Sequence, residues 1–171
     1  MNKEPKTNRR DLSFLLNLKP IRTIDIENII ACMPHRYPFL LVDRVDIIEE
    51  KKYAVGTKCV TINEPFFQGH FPGKPMMPAV LVLESIAQTC CVMFTSLPQF
   101  NGQLAFFMGT DKAKFRVPVV PGQVLKLAVN VLRYGRFGKL RAEAYVDGNL
   151  VAEAEMSLIA ADKQSLDERS K

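Results

Sequence analysis

From Pro78 to Ser96 the chain reads as a helix with almost no polar face. Ala79, Val80, Leu81, Val82, Leu83, Ile86, Ala87, Cys90, Cys91, Val92, Met93 and Phe94 occupy nearly every side of it. The proline at its head suits a first helical turn. A helix that is apolar nearly all round must be buried. A single domain of 171 residues has to supply the surface that encloses it, and a second copy of the molecule would cover what one small domain leaves bare.

The second half of the chain, from about residue 104, supplies that surface. Leu125, Leu127, Val129 and Val131 alternate with Lys126, Ala128, Asn130 and Leu132. The same alternation recurs from Lys139 to Val146 and from Val151 to Leu158. Period-two patterning of this kind predicts strands covered on one face and wet on the other. Asp147-Gly148 between two such runs is a hairpin signal, and Gly135 and Gly138 bracket another turn, so the sheet is antiparallel. Upstream, Phe39 to Val45 and residues 52–62 read as two further strands. Ile26, Ile29, Ile30 and Met33 form one apolar stripe of a short helix, with Thr23 as its N-cap and Pro34 as its stop. Residues 1–20 read as a flexible extension, 21–161 as the domain, and 162–171 as a charged tail.

Composition excludes several functions. An apolar fraction of 47% with 24% charged residues is ordinary for a globular protein. A net charge of +5 suits an acidic partner but lacks the clustering of a nucleic-acid binder. Two histidines and four scattered cysteines, without a CxxC pair, argue against a metal site and for reduced thiols. No stretch reaches the length needed to span a membrane, so a cytoplasmic protein is expected. No metal or redox cofactor is called for.

The chemistry is concentrated just before and within the apolar helix. His70 lies in Gly69-His70-Phe71-Pro72-Gly73-Lys74-Pro75-Met76-Met77-Pro78, a loop stiffened by three prolines. The helix start that follows offers free backbone N–H groups for a developing oxyanion. Glu84, with Gln88 one turn on, is a carboxylate among apolar residues, costly to keep charged unless it is paired or hydrogen-bonded. It is suited to hold or exchange a proton. Together these groups fit proton abstraction next to a thioester or ketone, followed by loss of water. His35, between Pro34 and Arg36, reads as structural, as do Cys90 and Cys91.

Pro34-His35-Arg36-Tyr37-Pro38-Phe39-Leu40-Leu41-Val42-Asp43-Arg44, the segment Gly69 to Pro75 continuing through Ala87-Gln88, Gly109 to Arg116, and Pro118-Val119-Val120-Pro121-Gly122 resemble the bacterial (3R)-hydroxyacyl-acyl carrier protein dehydratases of the Z type. The resemblance runs over about residues 21 to 160. It implies an α+β hot-dog fold, in which a curved antiparallel sheet wraps a long central helix. It implies a homodimer with two shared active sites, assembled as a trimer of dimers, in which the histidine of one subunit meets the glutamate of its neighbour.

By that resemblance His70 takes the C2 proton of the 3-hydroxyacyl thioester. Glu84 protonates or orients the departing hydroxyl, and the backbone N–H of Ala79 meets the thioester carbonyl. The family usually has glycine at the position of Ala79. The related A-type enzymes, which also isomerise the product, carry aspartate where this chain has Glu84, which favours plain dehydration here. The implied partner is an acidic acyl carrier protein bearing the substrate on phosphopantetheine, with Lys112, Lys114, Arg116, Arg133, Arg136 and Lys139 as docking charges. Two other readings use the same fold: an acyl thioesterase, which gives the His70 loop no purpose, and a non-catalytic acyl-thioester sensor, which keeps the tunnel but does not need both His70 and Glu84.

Overall fold

The structure, a computed structural model, describes residues 11–100 and 103–162. It has two helices, α1 (Ile26–Cys32) and α2 (Ala79–Thr95), and strands β1 (Arg22–Ile24), β2 (Arg44–Glu49), β3 (Tyr53–Cys59), β4 (Gln103–Phe115), β5 (Val124–Arg133), β6 (Phe137–Val146) and β7 (Asn149–Asp162). The strands make one sheet in the order β1-β2-β3-β5-β6-β7-β4, antiparallel at every pairing. The fold is α+β, as the patterning and the resemblance implied.

Helix α2 lies on one face of this sheet and packs against β2 through β7. The predicted alternation sets that face. Leu125, Leu127 and Val129 of β5, Leu140, Ala142 and Ala144 of β6, and Ala152, Ala154 and Met156 of β7 are buried in one core with Ile86, Cys90, Val92 and Met93 of α2. The helix comes closest at β3. A Cβ added to Gly56 would lie 2.1 Å from Oγ1 of Thr89, so glycine is what permits the approach. The β6–β7 hairpin turns at Asp147-Gly148, both at positive φ (49° and 78°), the geometry that the Asp-Gly pair favours.

Several expectations need correction. The N-cap of α1 is Asp25, whose side chain accepts from the Asn28 N–H; Thr23 lies in β1 and its hydroxyl donates to Asp46 at 2.7 Å. The strand expected from Phe39 begins only at Arg44. Leu41 and Val42 are buried in a loop whose backbone is tied to α2, as described below. The extension expected over residues 1–20 holds a docked element: Leu12–Asn17 is a 3-10 helix with Leu12 and Leu15 buried. Residues 1–10 and the tail beyond residue 162 lie outside the described residues.

That 3-10 helix covers part of the sheet face opposite α2, so this face is not uniformly wet. Leu12 and Leu15 bury against Val55, Ala128 and Tyr145. A polar clasp fixes them. The Leu12 N–H donates to Oε2 of Glu143 at 2.7 Å. The Tyr145 hydroxyl sits between Oδ1 of Asp11 at 2.5 Å and Oε2 of Glu143, and Arg141 pairs with Oε1 of Glu143. Glu143 and Tyr145 are buried, and without these partners the carboxylate would be a costly burial.

The hydrogen bond from Tyr145, and then that from the Ser13 amide, hold the Asp11 carboxyl below its ordinary value of 3.8. A carboxyl lowered in the folded state adds stability above its unfolded value and loses it as pH falls through the folded value. Protonation of Asp11 is therefore expected to loosen the 3-10 helix as pH falls below 3.8. Hydrogen-exchange protection of Leu12 and Leu15, compared with that of Leu127, would report the loss. Asp11→Asn is expected to weaken this pH dependence.

Candidate active site

The loop carrying His70 is shaped by its own backbone. The His70 N–H donates to the Phe66 carbonyl at 2.9 Å, and the Met76 N–H returns to the His70 carbonyl at 3.0 Å. Phe71 and Lys74 exchange backbone bonds across Gly73, which sits at φ 74°, a conformation open to glycine. The Met77 N–H donates to the Val119 carbonyl at 2.7 Å, which fixes the loop to the segment after β4. The result is one immobilised imidazole. Its Nδ1 lies 2.8 Å from the Met76 carbonyl, and a carbonyl only accepts, so Nδ1 carries the proton. In the neutral imidazole Nε2 is then the bare lone pair, the form a general base requires.

His70 lines a cavity of about 280 Å³ with Met76, Met77, Ala79, Val82, Phe115 and Arg116. Ala79 is the first residue of α2, and first-turn N–H groups have no acceptor within their own helix. The structure thus brings His70 and Ala79 to one cavity.

Glu84 is elsewhere. It lines a second cavity of about 320 Å³ with His35, Phe39, Ala87, Gln88, Cys91 and Phe106 among others. The two cavities of one protomer share no lining residue. Glu84 keeps 23% of its side-chain surface, so it is less enclosed than its helix suggested. Gln88 holds it: Nε2 of Gln88 donates to Oε1 of Glu84 at 2.8 Å and to the Phe39 carbonyl at 2.7 Å. The Leu41 N–H donates back to Oε1 of Gln88 at 2.9 Å. One buried amide therefore positions the carboxylate and ties down the loop after α1. Replacing Gln88 with leucine keeps the volume but strands a buried N–H and a carbonyl. The expected cost is about 2 kcal/mol in chemical denaturation.

On sequence His35 reads as structural, yet its Nε2 lies 3.7 Å from Oε1 of Glu84. No local signal tied the two. Cys90 and Cys91 are buried and free. Burial pushes the Cys91 thiol up to about 11, unsuited to nucleophilic work.

The candidate docking cations divide. Lys112 pairs with Glu155 at 2.9 Å, Arg116 with Glu153 at 2.5 Å, and Lys114 approaches Glu153 at 3.9 Å. Lys139 lies 3.6 Å from Glu155 and 4.0 Å from Asp111. Arg133 donates to the Phe137 carbonyl at 3.1 Å, and Arg136 is exposed. Only Arg116 of these lines the His70 cavity. Among the described residues no three His, Cys, Asp or Glu side chains cluster as a metal site, and no helix is long and apolar enough to cross a membrane.

Residues 33–155 match the FabA-like domain. The chain belongs to the FabA-like family. Within that family, the 3-hydroxyacyl-[acyl-carrier-protein] dehydratase FabZ of Desulforamulus reducens is 52% identical over 141 residues, covering 82% of this chain and 99% of that protein. FabZ of Syntrophotalea carbinolica is 51% identical over 144 residues, covering 82% and 97%. Among solved structures, the dehydratase heterocomplex ApeI:P from Xenorhabdus doucetiae superposes with a TM-score of 0.72 at 18% identity, covering 84% of this chain and 97% of that one. A hot-dog-like protein from Thermanaerovibrio acidaminovorans gives 0.57 at 19%, covering 69% and 87%. At such identities the likeness concerns the fold alone, and that fold is the hot-dog. In this FabA-like chain, the sheet and α2 are the scaffold that carries His70 and Glu84.

Proposed function

We propose that the chain dehydrates (3R)-3-hydroxyacyl thioesters on acyl carrier protein to trans-2-enoyl thioesters, in cytoplasmic fatty acid biosynthesis. The observation that carries the mechanism is the His70 imidazole, with its Nδ1 proton committed to Met76 and its Nε2 free, in the same cavity as the first amide of α2.

Nε2 of His70 removes the C2 proton. The charge that develops on the thioester oxygen is met by the Ala79 N–H and the positive end of α2. The C2–C3 double bond forms as the C3–O bond breaks. The hydroxyl departs with a proton from Glu84, and water is released. Solvent carries the proton from His70 back to Glu84. Alanine keeps the N–H that a glycine at position 79 would supply, so the oxyanion contact survives the methyl group.

The site is composite. Because His70 and Glu84 open into different cavities of one protomer, a homodimer sets the histidine of each copy against the glutamate of the other, and three such dimers make the assembly. Phe107, Met108 and Phe115 of the edge strand β4 are exposed in the single chain, as a surface awaiting a second copy would be. The phosphopantetheine arm enters beside Arg116, and Lys112, Lys114, Arg133, Arg136 and Lys139 receive the acidic carrier protein.

Incubation with a 3-hydroxyacyl carrier protein tests the reaction. Loss of the mass of one water from the acylated carrier is the expected result. Release of free carrier thiol would indicate a thioesterase instead, and binding without turnover a sensor.

A further inference from the structure

His35 is the group that the mechanism above leaves unused. It lies in the loop between α1 and β2, flanked by Pro34. Its ring stacks on Phe39, with centroids 6.1 Å apart and planes 17° from parallel. Its Nε2 lies 3.7 Å from Oε1 of Glu84. Its other nitrogen, Nδ1, is buried and has no hydrogen-bond partner among the described residues.

The unpartnered nitrogen decides where the ring proton sits. A neutral imidazole has one N–H and one bare lone pair. A buried N–H without an acceptor is the rarer defect and the costlier one. With the proton on Nε2, the buried Nδ1 is a bare lone pair and the only donor of the ring points at Glu84. The opposite tautomer would strand the proton and set a lone pair against the carboxyl oxygen. The separation of 3.7 Å is longer than a hydrogen bond, and contacts of this kind tighten when substrate orders a site.

Oε1 of Glu84 already accepts from Gln88. A second donor from His35 on the same atom has a chemical consequence. A carboxylic acid whose Oε1 is occupied by donors must carry its own proton on Oε2. That is the oxygen left to face the substrate.

We propose that His35 is a positioning residue: its Nε2–H, together with Gln88, occupies Oε1 of Glu84 and so directs the acidic proton on Oε2 to the 3-hydroxyl of the acyl chain. The proposal rests on the dehydratase reading and names how that site is aimed. His35 acts through Glu84 and does not touch the reacting atoms.

The test measures turnover of a 3-hydroxyacyl carrier protein by the full chain in its native assembly. His35→Phe keeps the ring stack on Phe39 and removes the N–H. His35→Gln removes the ring and keeps an N–H. The expected result is a fall in kcat of about ten-fold for His35→Phe with KM unchanged, and recovery of most of it in His35→Gln. In a Glu84→Gln background, His35→Phe is expected to cost less than about two-fold, because its target is gone. Should His35→Phe not fold, His35→Met is likewise without a donor and takes its place. Wild-type kcat in His35→Phe overturns the proposal, as does the reverse ranking, with phenylalanine active and glutamine not, which would assign the residue to packing. An undiminished ten-fold loss in the Glu84→Gln background also overturns it, since His35 would then act elsewhere. Full activity of Glu84→Gln alone would bring down the role of Glu84 itself, and the inference with it; loss in Glu84→Gln without loss in His35→Phe would bring down only the inference.

Discussion

Replacing His70 with alanine is expected to lower kcat for dehydration by about 10³-fold, with binding of the acyl carrier protein retained. Glu84→Gln is expected to lose activity on a similar scale, since the amide keeps the shape of the side chain and cannot give a proton to the departing hydroxyl. The two losses have a relation that separate measurements would miss. If each site takes its base from one copy and its acid from the other, dimers that pair one variant of each kind have one site with both groups intact and one with neither. Mixing the two inactive proteins under conditions that exchange subunits is therefore expected to restore up to about a quarter of wild-type turnover. Two variants that stayed inactive after verified exchange would show that base and acid come from the same chain, and the composite arrangement would fall.

The largest expected effect on stability comes from a single methyl group. In Gly56→Ala the new Cβ would stand 2.1 Å from Oγ1, 2.9 Å from Cγ2 and 3.0 Å from Cβ of Thr89. Thr89 cannot move aside. It is buried, branched at Cβ, and its hydroxyl donates to the Ser85 carbonyl at 2.9 Å. The clash has to be relieved by shifting α2 away from β3, at a cost of about 3 kcal/mol or more, read as a lower denaturation midpoint or as failure to fold. Adding Thr89→Ala removes the two nearest atoms. The double variant is expected to be more stable than Gly56→Ala alone, a coupling that a double-mutant cycle measures directly. Equal stability of the two would show that the helix does not press on β3 at this point.

What could be read from the chain depended on whether the cause was local. The apolar helix and the β6–β7 hairpin could be read because their signals lie within the elements themselves: an absence of polar face in one, an Asp-Gly pair with two positive φ angles in the other. Phe39 to Val42 misled, because an apolar run looks like a strand whether a neighbouring strand or a helix side chain satisfies its backbone. Here Gln88 does so from α2. The outer face of the sheet misled for a related reason. Glu143 and Tyr145 stand where alternation predicts solvent, and the Leu12–Asn17 turn, far away in sequence, helps to bury them. At the site, residue chemistry alone singled out His70 and Glu84. That they open into different cavities is a property of how α2 crosses the sheet, and the approach of His35 to Glu84 is a property of the loop that Gln88 ties down. Neither relation has a counterpart in spacing along the chain.

The docked N-terminal turn has a practical use in spectroscopy. The chain contains no tryptophan. Phe14 stands at the rim of this turn, with its ring edge-on to Tyr53 at 5.8 Å, on the side of the sheet away from His70 and Glu84. A tryptophan placed at position 14 would be the sole indole emitter in the molecule. Its fluorescence would follow whether the turn is seated, while a coupled enzymatic assay followed the other face in the same cuvette.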